Sequence, residues 1–244
     1  MSVNTTCFKI SGRLGVIVFT IFLCMSANGQ ALALTAKEPF AYPPGPINGM
    51  GGGVNWSAPW VGNGASVVAP GLTCPGLVPL PTGNALGTTP GSASTRTLTQ
   101  PAGGTPGTFM VLRALIQSNI NGTLVSQATL GNINGAIDGH FIIGDLPQSD
   151  PDAGNWGMQN SFGRFYSAKP VVQNVTTLLI AKINFNVGND RMRLWVKSCP
   201  FSGPPLGTPD IDVTNANISK FSGVFWQTQG LGAQLDQLRI RTAP

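Results

Sequence analysis

The chain carries one glutamate, Glu38, and eight aspartates, Asp138, Asp145, Asp150, Asp152, Asp190, Asp210, Asp212 and Asp236. Cleaving a glycosidic bond takes two carboxyl groups, one to protonate the leaving oxygen and one to attack or to activate water. Only Asp150/Asp152 and Asp210/Asp212 stand two residues apart, and both pairs adjoin proline in loop-like sequence, Ser149-Asp150-Pro151-Asp152 and Pro209-Asp210-Ile211-Asp212. That pattern does not predict an enzyme, and no phosphate-binding loop, nucleophile elbow or H-E-x-x-H motif is present. Asp145, Asp150, Asp152 and Asn155 offer the hard oxygens that calcium prefers, although solvated turns capped by aspartate explain them more simply. Zinc has almost no ligands to draw on, and no other cofactor is expected.

Two further groups of residues have chemical potential. In Arg191-Met192-Arg193-Leu194-Trp195-Val196-Lys197, strand alternation puts Met192, Leu194 and Val196 on one face and Arg191, Arg193 and Trp195 on the other. If open, that second face is a platform on which a sugar ring could stack, with Trp156 and Tyr166 as second choices; the competing reading makes these aromatics part of the core. Trp56, Trp60 and Trp226 read as core. Cys74 and Cys199 are the only cysteines after residue 33, and a lone pair in an oxidising compartment is expected to form a disulfide.

The compartment follows from the start of the chain. Lys9 and Arg13 precede the apolar run Leu14 to Ala27, which leads to Ala31-Leu32-Ala33, the small-x-small pattern of a cleaved export signal. Residues 1–33 are therefore expected to leave, and 34–244 to form one secreted domain, outside the cell or in the periplasm. The run is too short for a spanning helix, and no membrane insertion is expected after cleavage. Removing Lys9 and Arg13 leaves 12 cationic against 9 acidic side chains. Those cations are scattered along the sequence, which does not predict nucleic-acid binding.

The elements that must hold these residues are strands. Phe109 to Ile116, Thr177 to Phe185, Arg191 to Lys197, His140 to Ile143, Arg164 to Tyr166, Gly223 to Gln227 and Gln234 to Arg241 read as strands, with a hairpin turn at Asn186-Val187-Gly188-Asn189-Asp190. The Gly-, Ser- and Thr-rich segment Gly87 to Gly107 reads as a surface loop. No window sustains a helical apolar period, no fixed repeat appears, and an all-β sandwich is predicted.

Glu38-Pro39-Phe40-Ala41-Tyr42, Gly51-Gly52-Gly53-Val54-Asn55-Trp56-Ser57-Ala58-Pro59-Trp60, Pro70-Gly71-Leu72, Ala181-Lys182-Ile183-Asn184-Phe185, Gly188-Asn189-Asp190, Leu194-Trp195-Val196 and Leu235-Asp236-Gln237-Leu238-Arg239-Ile240 occur in that order. The set resembles exported bacterial proteins with a concanavalin A-like lectin/glucanase (laminin-G-like) jelly roll. The resemblance implies two antiparallel sheets, little helix, a structural role for Glu38, and a glycan or other cell-surface component as partner. Enzymes of this fold carry E-x-D-x-E on one strand, and this chain does not. Many relatives end in a Pro-Glu-Pro sorting segment, whereas this chain ends Thr242-Ala243-Pro244, so a soluble product is expected. The cysteines depart from the family pattern together, which supports a bridge from the early turn to the end of the hairpin. The expected role is non-catalytic glycan binding; the alternative is a structural or adhesive component of an envelope or matrix.

Overall fold

A computed structural model describes residues 6–14, 17–25, 33–77, 83–119, 127–132, 141–146, 154–201, 206–218, 220–229 and 232–244. The first unit spans Met1–Ala31 and contains β1 (Thr6–Leu14) and β2 (Ile17–Met25), paired antiparallel. The second spans Leu32–Pro244. It holds β3 (Thr35–Glu38), β4 (Gly45–Pro46), β5 (Val61–Val68), β6 (Ala85–Ala102), β7 (Phe109–Ser118), β8 (Gln127–Asn132), β9 (Ile142–Asp145) and β10 (Asn155–Asn160). These are followed by β11 (Gly163–Pro170), β12 (Thr176–Asn184), β13 (Asp190–Ser198), β14 (Ile211–Ala216), β15 (Phe221–Gln229) and β16 (Ala233–Ala243). No helix occurs among the described residues.

Hydrogen bonding follows the order β11-β10-β9-β8-β15-β6-β16-β7-β12-β13-β14, with β5 on β6 and β3 on β16. The strand β6 belongs to both layers of the sandwich: Leu86 and Gly87 pair with β16, while Ala93 to Thr97 pair with β15. This corrects the loop expected over Gly87 to Gly107. The segment is polar, yet it alternates, with Ser92, Ser94, Arg96 and Leu98 buried and Thr95, Thr97 and Thr99 more exposed. β-Branched threonines suit a pleated surface, so a polar composition still makes a strand. Gly87 is needed there, because a Cβ would stand 2.9 Å from the Val68 side chain.

Inward side chains from both layers meet in one core. Met110, Leu112, Ala114 and Ile116 of β7, Leu179, Ala181 and Ile183 of β12, and Met192, Leu194 and Val196 of β13 face Phe141, Ile143, Trp156, Met158, Val224 and Trp226. The predicted hairpin forms as β12–β13, and Asp190 fastens its turn by accepting from the Asn186 and Ile218 backbone N–H groups at 3.0 and 2.8 Å.

Glu38 is the polar hub of this core. Its Oε1 accepts from the Phe40 N–H at 2.9 Å, and its Oε2 from the Tyr42 hydroxyl at 2.9 Å, the Trp60 indole at 3.0 Å and the Arg96 guanidinium. Arg96 also donates to the Ala58 and Gly52 carbonyls and lies over the Trp56 ring. Burial pushes the Tyr42 phenol up to about 12 and pulls Arg96 down to about 10. A buried charge pair holds its place only when its hydrogen bonds are complete, and the motifs around Phe40 and Trp60 supply them.

Besides Asp190, two described aspartates are buried outside any ion pair. Asp236 clamps the turn at Leu72 by accepting its N–H at 3.0 Å, and Asp145 faces the Ser118 hydroxyl at 3.4 Å. Burial pushes both carboxyls up to about 7. The folded chain therefore holds protons that the unfolded chain releases near the ordinary aspartate value, so stability falls as pH rises from about 4 to about 7 and levels off above that. Thermal melts across this window should show Tm decreasing with pH and a shallower slope in Asp236→Asn; an unchanged slope in the variant contradicts the assignment.

Candidate functional site

The sheet β3-β16-β7-β12-β13-β14 has an outer face, and its register decides which side chains meet there. Lys37 of β3 stands opposite Arg239 of β16, which stands opposite Arg113 of β7. The next row runs Thr35, Arg241, Val111, Lys182, Arg193 and Asp212 across six strands. A third places Phe109 beside Asn184 and Asn184 beside Arg191. Seven cations that are far apart in sequence thus share one surface, so the scattering seen along the sequence does not persist in space.

The parity of β16 is reset to make this possible. Leu235 faces inward, and strict alternation from it would bury Arg239 and Arg241. A bulge between Asp236 and Arg239, with Gln237 at φ 52°, shifts the pleat so that Leu238 and Ile240 enter the core and both arginines turn out.

Beside these rows lies an open groove of about 530 Å³ lined by Lys37, Arg239, Arg241, Arg113, Val111 and Phe109. Lys182 sits over the Phe109 ring at 4.3 Å. No carboxylate among the described residues pairs with Lys37, Arg113, Lys182, Arg193, Arg239 or Arg241; the ion pairs are Arg96–Glu38, Lys169–Asp210 and Arg191–Asp212. Burial and then the neighbouring Arg239 charge pull Arg113 below its ordinary value. Arg113 Nη2 and Arg193 Nε are shielded from solvent with no hydrogen-bond partner among the described residues. Cations set opposite one another across strands are destabilising, and an anion in the groove would relieve them.

The other half of this face is covered. Leu115, Leu178, Ile180 and Trp195 pack under Leu72, Cys74, Leu77 and Ala85, with Cys199, Phe201 and Leu206 against them. The expected bridge between Cys74 and Cys199 is present and ties the two covering segments together. Phe201 donates its N–H to the Pro75 carbonyl at 2.7 Å, and its own carbonyl fills the space a Cβ at Gly76 would need. Trp195 is 4% exposed and donates its indole N–H to the Gly207 carbonyl at 2.9 Å.

The expected platform is therefore divided. Trp195 is roofed over and cannot stack on a ligand, because the segments joined by the disulfide supply the apolar cover its ring needs. Arg193 marks the boundary, over the Trp195 ring at 5.9 Å and bonded to the Asn184 carboxamide. Arg191 forms a bidentate pair with Asp212 at the sheet edge, at 2.8 and 2.5 Å, and holds that carboxyl below its usual range. Trp156 is core, 1% exposed, on β10. Tyr166 is half-buried on β11 beside a second groove with Phe162, Phe165 and Thr214.

Of the oxygens considered for calcium, Asp150 and Asp152 lie outside the described residues. Asp145 turns inward to Ser118 with a carboxyl that burial keeps near neutrality, which is a poor donor for a hard cation. Asn155 opens β10 on the strand that pairs with β9. No group of three metal-binding side chains occurs among the described residues.

The residues missed by sequence reasoning are Lys37, Arg113, Lys182, Arg239 and Arg241. Arg113, Lys182 and Arg239 each lie in a strand between two apolar residues, a local sign of an outward position. Their adjacency rests on strand order and on the β16 bulge, neither of which a strand pattern encodes.

No family model matches the sequence, and no curated protein does. Solved structures match its fold. The endo-1,3-β-glucanase of Streptomyces sioyaensis superposes with a TM-score of 0.52 at 11% identity, over 88% of this chain and 97% of its own. A Shewanella oneidensis protein of unknown function gives 0.51 at 11%, over 86% of each chain. The basic winged bean lectin, solved with Tn-antigen, gives 0.50 at 7%, over 87% and 99%. The domain is a concanavalin A-like jelly-roll sandwich of the kind shared by lectins and glucanases.

The covered half generates a test. In Cys74→Ser/Cys199→Ser the unfolded chain is freed of a crosslink spanning 125 residues, for which the chain-entropy relation gives about 5 kcal/mol as an upper figure. The variant should melt well below the parent and open Trp195 to a soluble fluorescence quencher. Unchanged Tm with Trp195 still protected would show that the bridge does not hold the roof.

Proposed function

We propose that this protein is an exported, non-catalytic, lectin-like domain that binds glycan through the open half of the β3-β16-β7-β12-β13 face. The observation that carries the reading is the groove at Lys37, Arg239 and Arg113, where unpaired donors border the apolar surface of Phe109 and Val111. Guanidinium and ammonium groups donate to sugar oxygens while an apolar strip receives the C–H faces of the rings. The fold supports the reading, since a lectin and a glucanase share it.

The carboxylates favour binding over hydrolysis. All six described acids already serve the structure: Glu38 in the Arg96 hub, Asp190 in the hairpin turn, Asp210 with Lys169 and the Val196 N–H, Asp212 with Arg191, Asp236 at Leu72, and Asp145 facing Ser118. Hydrolysis needs two carboxyls free and facing each other, an arrangement absent among the described residues. Export is supported by the leader-like first 33 residues and by the disulfide.

A soluble-glycan array run with the purified protein, beside light scattering, tests this reading. Retention of at least one glycan class by non-aggregated protein, with no release of reducing sugar, is the expected result. Glycan release would make it an enzyme, and assembly into large particles without glycan binding would make it a structural component.

A further inference from the structure

Resting on that reading, we infer that the glycan is polyanionic, a chain carrying carboxylate or sulfate groups on successive sugars, and that it lies across the strands along the two cation rows. The first row is Lys37, Arg239 and Arg113, and the second holds Arg241, Lys182 and Arg193. Neighbouring strands stand about 4.8 Å apart, so Arg241 and Arg193, three strands apart, are separated by about 14 Å. One small anion cannot bridge that distance; a linear polymer with repeated charges can.

Three observations support an anionic occupant. None of these six cations forms an ion pair among the described residues; Asp212, opposite Arg193 at the end of the second row, is bonded bidentately by Arg191, and that bond, with the Arg193 charge in lesser part, holds its carboxyl below the usual range. Arg113 Nη2 and Arg193 Nε are shielded donor atoms without a hydrogen-bond partner among the described residues, an arrangement that costs stability until an acceptor arrives. The β16 bulge, in sending Leu238 and Ile240 into the core, commits Arg239 and Arg241 to a face that already carries Arg113 and Lys37, a repulsion that a bound anion would offset.

The same face is poorly suited to nucleic acid. Unpaired bases of a single strand need several open aromatic rings to stack on. On this surface Trp195 is roofed, and Phe109 by itself cannot stack successive bases. Phe109 and Val111 instead give a short apolar strip beside the cations, the mixture a charged sugar chain meets on its two edges.

Calorimetric titration of the purified protein with polygalacturonate, its methyl ester, a neutral β-1,3-glucan and duplex DNA tests the inference. Polygalacturonate should bind, weaken at least tenfold between about 50 and 200 mM salt through counterion release, and exceed its methyl ester by at least tenfold. In Arg113→Gln/Arg239→Gln its affinity should fall at least tenfold with Tm unchanged or raised, whereas Arg164→Gln/Lys220→Gln, which removes the same charge elsewhere, should bind as the parent does. The ester comparison uses only the parent protein and decides the matter even if a variant fails to fold. Equal binding of ester or neutral glucan overturns the polyanion inference and leaves glycan binding standing. Binding of no glycan overturns both, and preference for DNA over polygalacturonate assigns the face to nucleic acid.

Discussion

Everything described here depends on the hydrogen-bond register of β3, β16, β7, β12, β13 and β14. Successive side chains on a strand point to opposite faces, so a slip of one residue exchanges the whole inward set for the whole outward set. The pairing Arg239 to Arg113 therefore does two things at once. It sends Leu112, Leu238 and Ile240 into the core, and it sets cations from three strands side by side on the outside. The two outcomes are inseparable, which explains how a repulsive surface persists: the apolar residues beneath it hold the pairing in place.

The outer face is then divided by cover. The disulfide and the Phe201 to Pro75 hydrogen bond hold two loop segments over Leu178, Ile180 and Trp195, forming a second, smaller core. Beyond Ile180 the cover ends, and the same strands present Arg113, Lys182 and Arg193. One sheet face thus contributes stability at one end and a polar, open surface at the other. The Glu38 and Arg96 hub has a corresponding role between the layers, joining the N-terminal motifs to β6.

Much of this was legible in sequence where the signal was local. The alternation of Met192, Leu194 and Val196 with Arg191, Arg193 and Trp195 gave the correct faces of β13, and the two cysteines that follow the leader-like segment gave the bridge. What local pattern could not supply was the fate of an outward residue. Trp195 looked like a binding platform because its cover comes partly from a turn more than a hundred residues earlier, brought over it by the disulfide. The strand β6 looked like a loop because three of its inward positions are Ser92, Ser94 and Arg96, and Ser92 and Arg96 are buried by bonding the Gly64 carbonyl and Glu38 rather than by being apolar. The cation rows were hidden for a third reason, since a bulge at Asp236 and Gln237 reverses the parity that simple alternation assigns to Arg239 and Arg241.

The register-aligned cations are the proposed ligand surface. Backbone NMR of the protein titrated with a short oligogalacturonate examines it residue by residue. Shifts are expected to concentrate at Lys37, Val111, Arg113, Lys182, Arg239 and Arg241, with Trp195 and the other sheet nearly unmoved. Shifts centred instead on Phe162, Tyr166 and Thr214, in the groove beside β11, would contradict it.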